Sequence, residues 1–265
     1  MQAAFRDRVI WITGASSGIG EYLSYALAEA GAFLVLSSRK KAELERVRAN
    51  CVDPEKVLII PCDVAQFKQI PGIAQQAIAW KGHLDILINN AGISQRAKAE
   101  ETQLEIDQKI MDVNFFGSVA ITKAVLPMMI ERKSGHIVVM SSVLGKMGVP
   151  HRSAYCAAKH ALHGFFDSLR AELFEHQIDV SVICPGFVRT NVTINALKGD
   201  GTPNNEMAAS TASGYSPEAF VKKALKVIAK RRKESYFAKS ELMGVYLNRF
   251  VPNIFFRIIR RHQLK

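Results

Sequence analysis

Val9-Ile10-Trp11-Ile12-Thr13-Gly14-Ala15-Ser16-Ser17-Gly18-Ile19-Gly20 runs from an apolar stretch into a glycine turn, and Glu21 to Ala30 continues it with helical spacing. A strand that is apolar at successive positions is covered on both faces, as strands of parallel sheets are. The glycines let the backbone turn tightly, and the following helix N-terminus offers unpaired N–H groups to an anion. The spacing is G-x3-G-x-G. It is neither the common G-x-G-x-x-G dinucleotide fingerprint nor a P-loop, which ends in Gly-Lys-Ser/Thr.

The alternation continues outward from this unit. Strand-like runs at Phe33 to Leu36, Val57 to Ile60, Asp85 to Ile88, His136 to Met140 and Val180 to Ile183 alternate with helical stretches at Lys40 to Asn50, Phe67 to Trp80, Glu101 to Glu131 and Ser153 to His176. Pro217 to Lys233 reads as one more helix and Ser235 to Ala238 as a last strand. Helical crossovers between apolar strands predict an α/β, Rossmann-type doubly wound parallel sheet in a single domain. Ligands on such a sheet bind at the carboxyl ends of the strands. Residues 190–216 are rich in Asn, Thr, Gly and Ser around Pro203, with one helical turn near Asn195, and read as a lid or a surface loop.

Composition bounds the function class. The net charge of +11 suggests nucleic acid until it is located. Residues 1–218 carry 22 basic and 22 acidic side chains, whereas 219–265 carry 13 basic and 2 acidic. The excess belongs to the C-terminal part, where no nucleic-acid module is recognisable, so no specific nucleic-acid partner is expected. Cys51, Cys62, Cys156 and Cys184 are scattered, without a C-x-x-C pair or a histidine at ligand spacing, so no metal site is expected. His151, His160 and His163 offer no further ligand cluster. Met1 to Arg8 is short and polar ahead of the first strand, which leads to a cytoplasmic expectation.

Two positions bear on cofactor and chemistry. After the second strand stands Leu36-Ser37-Ser38-Arg39-Lys40-Lys41. An acidic residue there would favour a free ribose 2′-hydroxyl. Here small Ser38 leaves space and Arg39 offers a fork of donors, which predicts NADP(H). Tyr155 and Lys159 lie four apart on a helix and therefore share a face. A phenol with a pKa of about 10 needs a nearby cation to exchange protons at neutral pH. Ser142 closes a strand thirteen residues earlier, at the edge where ligands gather.

Gly14-x3-Gly18-x-Gly20, Asn89-Asn90-Ala91-Gly92, Asn114, Ser142, Tyr155-x3-Lys159 and Pro185-Gly186, in that order and spacing, resemble the short-chain dehydrogenase/reductase family over residues about 8 to 238. The resemblance implies that Tyr155 donates or accepts the proton and Ser142 hydrogen-bonds the substrate oxygen. By the same resemblance Lys159 lowers the tyrosine pKa and holds the nicotinamide ribose, while Asn114 holds a relay water. It assigns Gly14, Ser16, Ser17, Gly18, Ile19 and Gly20 to the pyrophosphate turn, Asp63 and Val64 to adenine, and Asn90, Ala91 and Gly92 to a ribose-side wall. Pro185, Gly186, Val188 and Thr190 become the nicotinamide amide clamp, and 190–216 the substrate lid. The order of lid and tail is similar to the member-7-like branch of the family, which implies lipid-like or steroid-like carbonyl substrates.

The expectation is an NADP(H)-dependent carbonyl reductase or alcohol dehydrogenase, assembled as a homodimer or homotetramer through the Glu101–Glu131 and Tyr155 helices. The other readings are an NAD-dependent dehydrogenase of the same fold and a catalytically silent NADP(H)-binding module. Residues 1–240 form the catalytic domain in this reading, and 241–265 a basic apolar extension. That extension, interrupted by Arg249, Pro252, Asn253 and Arg257, is too broken to span a bilayer. It fits either a segment lying on an anionic membrane or one packed on the domain or a second subunit.

Overall fold

A computed structural model describes residues 2–261, and the last part of the expected extension, 262–265, lies outside the described residues. Seven parallel strands form one sheet: β1 (Val9–Thr13), β2 (Phe33–Ser37), β3 (Val57–Ile59), β4 (Ile86–Asn89), β5 (Gly135–Met140), β6 (Ile178–Pro185) and β7 (Glu234–Phe237). Their order is β3-β2-β1-β4-β5-β6-β7, and each neighbouring pair is parallel. The direction of winding reverses between β1 and β4, which opens a crevice beyond their carboxyl ends.

Period-two alternation in β1 sorts its side chains between two cores. Ile10 and Ile12 join Leu34 and Leu36 under α1 (Gly18–Glu29), α2 (Lys41–Ala49) and, later in the chain, α8 (Pro217–Ala229). Val9 and Trp11 join Val35 and Leu87 under α3 (Ile70–Ala79), α5 (Gly117–Glu131) and α6 (Ser153–Glu172). The result is three layers, helix, sheet and helix. All four cysteines are buried free thiols within or beside these cores.

The expected helix over 101–131 is divided. It comprises α4 (Leu104–Met111), a π-helical turn (Asp112–Phe116) and α5. Among the described residues, Leu104–Glu131 is the one stretch long and apolar enough by composition to cross a membrane. In the fold, Ile121, Val125 and Met129 of this stretch are buried against the sheet core.

The segment 190–216 is pinned at its middle. Leu197 bridges Gln95, with Leu197 N donating to Ser94 O at 2.9 Å and Arg96 N donating to Leu197 O at 2.8 Å. One helical turn forms at Asn191 to Asn195, and α7 (Ala209–Ala212) is a second short turn. Ser216 then caps α8, its Oγ accepting from Ala219 N at 3.2 Å.

The C-terminal extension folds as two helices, α9 (Glu241–Phe250) and α10 (Pro252–Ile259). Val245 and Phe255 are buried with Val143 and Met147, so one face of the pair packs on the protein's own domain.

Candidate active site

The glycine turn bridges β1 and α1 at the crevice. Gly14 and Gly18 sit at φ +67° and +57°, in the left-handed region. A Cβ on Gly20 would run into the Gly14 carbonyl, so the turn closes only with glycine there. Asn90 fastens it from β4: its Nδ2 donates to Thr13 O at 3.0 Å and to Gly14 O at 3.2 Å. Thr13 completes the lock, its Oγ1 accepting from Asn90 N and Ala91 N at 3.0 Å each. Ser17 caps α1 without a side-chain hydrogen bond, which leaves the first helical N–H groups available to a ligand. Ser16 is partly buried and its carbonyl accepts from Arg46 Nη2 at 3.2 Å, while Ile19 packs on the core beneath.

Ser38 and Arg39 stand at the end of β2, next to this turn. Ser38 Oγ accepts from Lys40 N at 3.2 Å, and Arg39 is exposed with neither a hydrogen bond nor an ion pair among the described residues. No carboxylate occupies 36–41. Asp63 Oδ1 accepts from Ala65 N at 3.1 Å, and Val64 is buried against Gly117. On the opposite rim Thr190 covers the turn, because a Cβ on Gly18 would lie 3.3 Å from its side chain. Pro185 ends β6, Gly186 N donates to Phe237 O at 2.9 Å, and Val188 is buried. Asn89, by contrast, ties β4 to α5 through Nδ2 donating to Thr122 Oγ1 at 2.9 Å.

The second cluster lies at the ends of β5 and α6. Ser142 Oγ caps a short turn by accepting from Leu144 N at 3.1 Å, points to Pro185 O at 3.4 Å and hydrogen-bonds Tyr155. Burial pushes the Tyr155 phenol up, against the pull of the Arg152 charge and the Ser142 hydroxyl. Lys159 Nζ donates to Met140 O at 2.7 Å and lies 5.7 Å from the centre of the Tyr155 ring. Its burial lowers the amine to about 8. Asn114 sits in the π turn with its side chain wholly committed to backbone. Its Nδ2 donates to Ile93 O at 2.9 Å and Ile110 O at 3.0 Å, and its Oδ1 accepts from Ile93 N at 3.1 Å. Gly92 is wedged between it and Lys159.

The structure thus unites Gly14, Gly18, Gly20, Asn90, Ala91 and Thr190 in one cradle, and Ser142, Tyr155, Lys159, Asn114 and Gly92 beside it. Ser38 and Arg39 stand at the other end of the same crevice. Sequence reasoning missed Arg152, which is only 9% exposed yet has no carboxylate partner among the described residues; its Nη1 donates to Ser94 Oγ at 3.0 Å. The available signal was its place three residues before Tyr155, at the N-cap of α6. It also missed a cluster beneath the strand ends, where buried His163 and Cys184 and half-buried Glu234 bring ligand-type atoms within 4.8 Å of one another. There His163 Nε2 meets Ser141 Oγ at 3.0 Å, and Glu234 is engaged by Lys146 at 3.2 Å.

These residues fit a nicotinamide dinucleotide. Gly14 and Gly18 hold the turn in a conformation that favours glycine, and the α1 N-terminus, which has no side-chain cap, suits a pyrophosphate.

Comparison with known proteins agrees. The family model for short chain dehydrogenases matches residues 8–200. A "Dehydrogenase/reductase SDR family protein 7-like" of Anopheles gambiae is 43% identical over 97% of this chain and 84% of its own. A "Dehydrogenase/reductase SDR family member 7B" of Bos taurus is 41% identical over 98% of this chain and 82% of its own. Among solved structures, a short-chain dehydrogenase from Streptomyces avermitilis aligns with a TM-score of 0.81 and 27% identity, covering 95% of this chain and 94% of that one. One from Burkholderia phymatum, in complex with NAD, shares the fold with a TM-score of 0.82 at 24% identity, covering 94% of this chain and 95% of that one. By both sequence and fold, the chain belongs to the short-chain dehydrogenase/reductase family of oxidoreductases, in its member-7-like group.

Proposed function

We propose that the protein is an NADP(H)-dependent oxidoreductase that interconverts a carbonyl and a secondary alcohol on an apolar, lipid-like or steroid-like substrate. The observation that carries the cofactor choice is Arg39. It is an exposed guanidinium without a partner among the described residues, beside small Ser38, at the strand end where the ribose of a bound dinucleotide would lie. A carboxylate at that point would repel a 2′-phosphate, and none is present.

A bound nicotinamide supplies the hydride donor or acceptor. The chain's own part is proton management and orientation. The Tyr155 hydroxyl gives its proton to the carbonyl oxygen, or takes it from the alcohol, and Ser142, hydrogen-bonded to Tyr155, holds the same oxygen. Buried Arg152 supplies the positive field that favours phenolate, and Lys159, its Nζ 5.7 Å from the centre of the Tyr155 ring, stands at the same site. Val192 and Met207, exposed on the segment 190–216, support an apolar substrate under that lid.

A second copy of the chain is the proposed partner, through α5 and α6. Exposed Phe67 and Phe116 support this, continuing a run of edge-on rings through Phe115 to Phe165 on that side.

Fluorescence titration with NADPH and NADH, on wild type and Arg39→Ala, tests the proposal. NADPH is expected to bind more tightly, and the substitution to weaken it roughly tenfold or more while sparing NADH. A preference for NADH overturns the cofactor assignment. Tyr155→Phe is expected to bind NADPH normally and to lose turnover on a panel of apolar ketones and aldehydes.

A further inference from the structure

The two C-terminal helices have unlike faces. The inward face is Val245 and Phe255, buried with Val143 and Met147, with Asn248 Nδ2 donating to Lys146 O at 3.0 Å. The outward face is apolar and open. Met243, Tyr246 and Phe250 follow at helical spacing on α9, and Ile254 and Ile258 one turn apart on α10, with Phe250 74% exposed. Leaving such a patch in water is costly unless something covers it.

Its charge selects the cover. Arg249, Arg257, Arg260 and Arg261 surround the apolar residues and are exposed. The one carboxylate of this stretch, Glu241, is turned inward, accepting from Phe187 N and Lys239 N at 3.0 Å each. A second copy meeting this face would bring arginine against arginine. An anionic lipid surface offers both an apolar layer for the aromatic and aliphatic side chains and negative headgroups for the guanidinium groups.

We propose that α9 and α10 dock the protein on an anionic bilayer, lying in its interface with Met243, Tyr246, Phe250, Ile254 and Ile258 inserted and the arginines at headgroup level. The docked face is the back of a helix that braces the site. Glu241 holds Phe187, in the clamp after Pro185 and Gly186, and α9 packs on the segment leaving Ser142. The surface therefore holds the crevice at the boundary where an apolar substrate resides.

The test is sedimentation of the full chain with vesicles of phosphatidylcholine, with and without phosphatidylserine. The expected result is retention on the anionic vesicles, released by salt. Retention should fall roughly a hundredfold in the triple variant Arg257→Glu, Arg260→Glu, Arg261→Glu. It should fall likewise in Tyr246→Asp, Phe250→Asp, with circular dichroism melting close to wild type for both variants. Three results would overturn the proposal: no retention of folded wild type, retention of both variants equal to that of wild type, or a solution dimer that the Tyr246→Asp, Phe250→Asp variant dissociates. None of these readouts depends on the cofactor or the substrate.

Discussion

Arg152 shows what one residue can carry. A guanidinium buried with no carboxylate partner among the described residues is destabilising unless its charge acts on something, and its electrostatic influence falls on the Tyr155 phenol. Removing the charge raises the tyrosine further. In the alcohol-oxidising direction, where phenolate is the active form, the rise of rate with pH should therefore begin at higher pH in Arg152→Gln. Arg152→Lys should recover part of the shift. A pH–rate profile checks this, and a loss of activity without a shift would mean that Arg152 only props the Ser94 loop. The burial of the arginine was not legible in the sequence: its place just before Tyr155 was, but next to His151 it reads as a solvated helix start. Only the fold buries it, by laying Ser94 and Gln95 across α6. Tyr155 and Lys159 were legible because their spacing is itself the geometry.

At the scale of elements, continuous apolar runs gave away the strands, while the interruption between α4 and α5 was hidden. A π turn admits one extra residue per turn without any change in composition, so 101–131 reads as a single helix. Its stabilising feature is local, the Asn114 amide donating to Ile110 O. The pinning of 190–216 through Leu197 was equally hidden, since a single bridge leaves no periodicity. The tail was half legible: its amphipathic spacing was plain, but which side met the domain depended on where Val143 and Met147 lie. Phe255 is 3% exposed, so Phe255→Ala should cost about 3 kcal/mol. The loss falls on the docking of α10, and limited proteolysis should show cleavage after Arg249 or Arg257 well before global unfolding. Unchanged cleavage kinetics would mean that α10 is held by other contacts.

For the whole molecule, acid is the expected weakness. Burial lowers His136 and His163 to about 4, from an ordinary value of 6.5. Between those values the unfolded chain binds protons that the folded one refuses, so stability rises with pH from about 4 to 6.5 and is lost as pH falls through that window. Each histidine contributes at most about 1.4 kcal/mol per pH unit. Tm measured from pH 7 to 4 should fall, with a shallower slope in His136→Gln. The assembly prediction belongs to this scale too: Phe116→Asp should reduce the sedimenting mass to one chain if α5 and α6 form the dimer contact, and an unchanged mass rejects that contact.

The Asn90 lock reaches across 76 and 77 residues of chain to close the turn at Thr13 and Gly14. During synthesis, therefore, the motif that emerges first cannot take its final shape until β4 has left the ribosome and slid in beside β1. Until then a nascent chain carries the glycine sequence without the cradle. Nucleotide can act as a folding ligand only on chains at least that long.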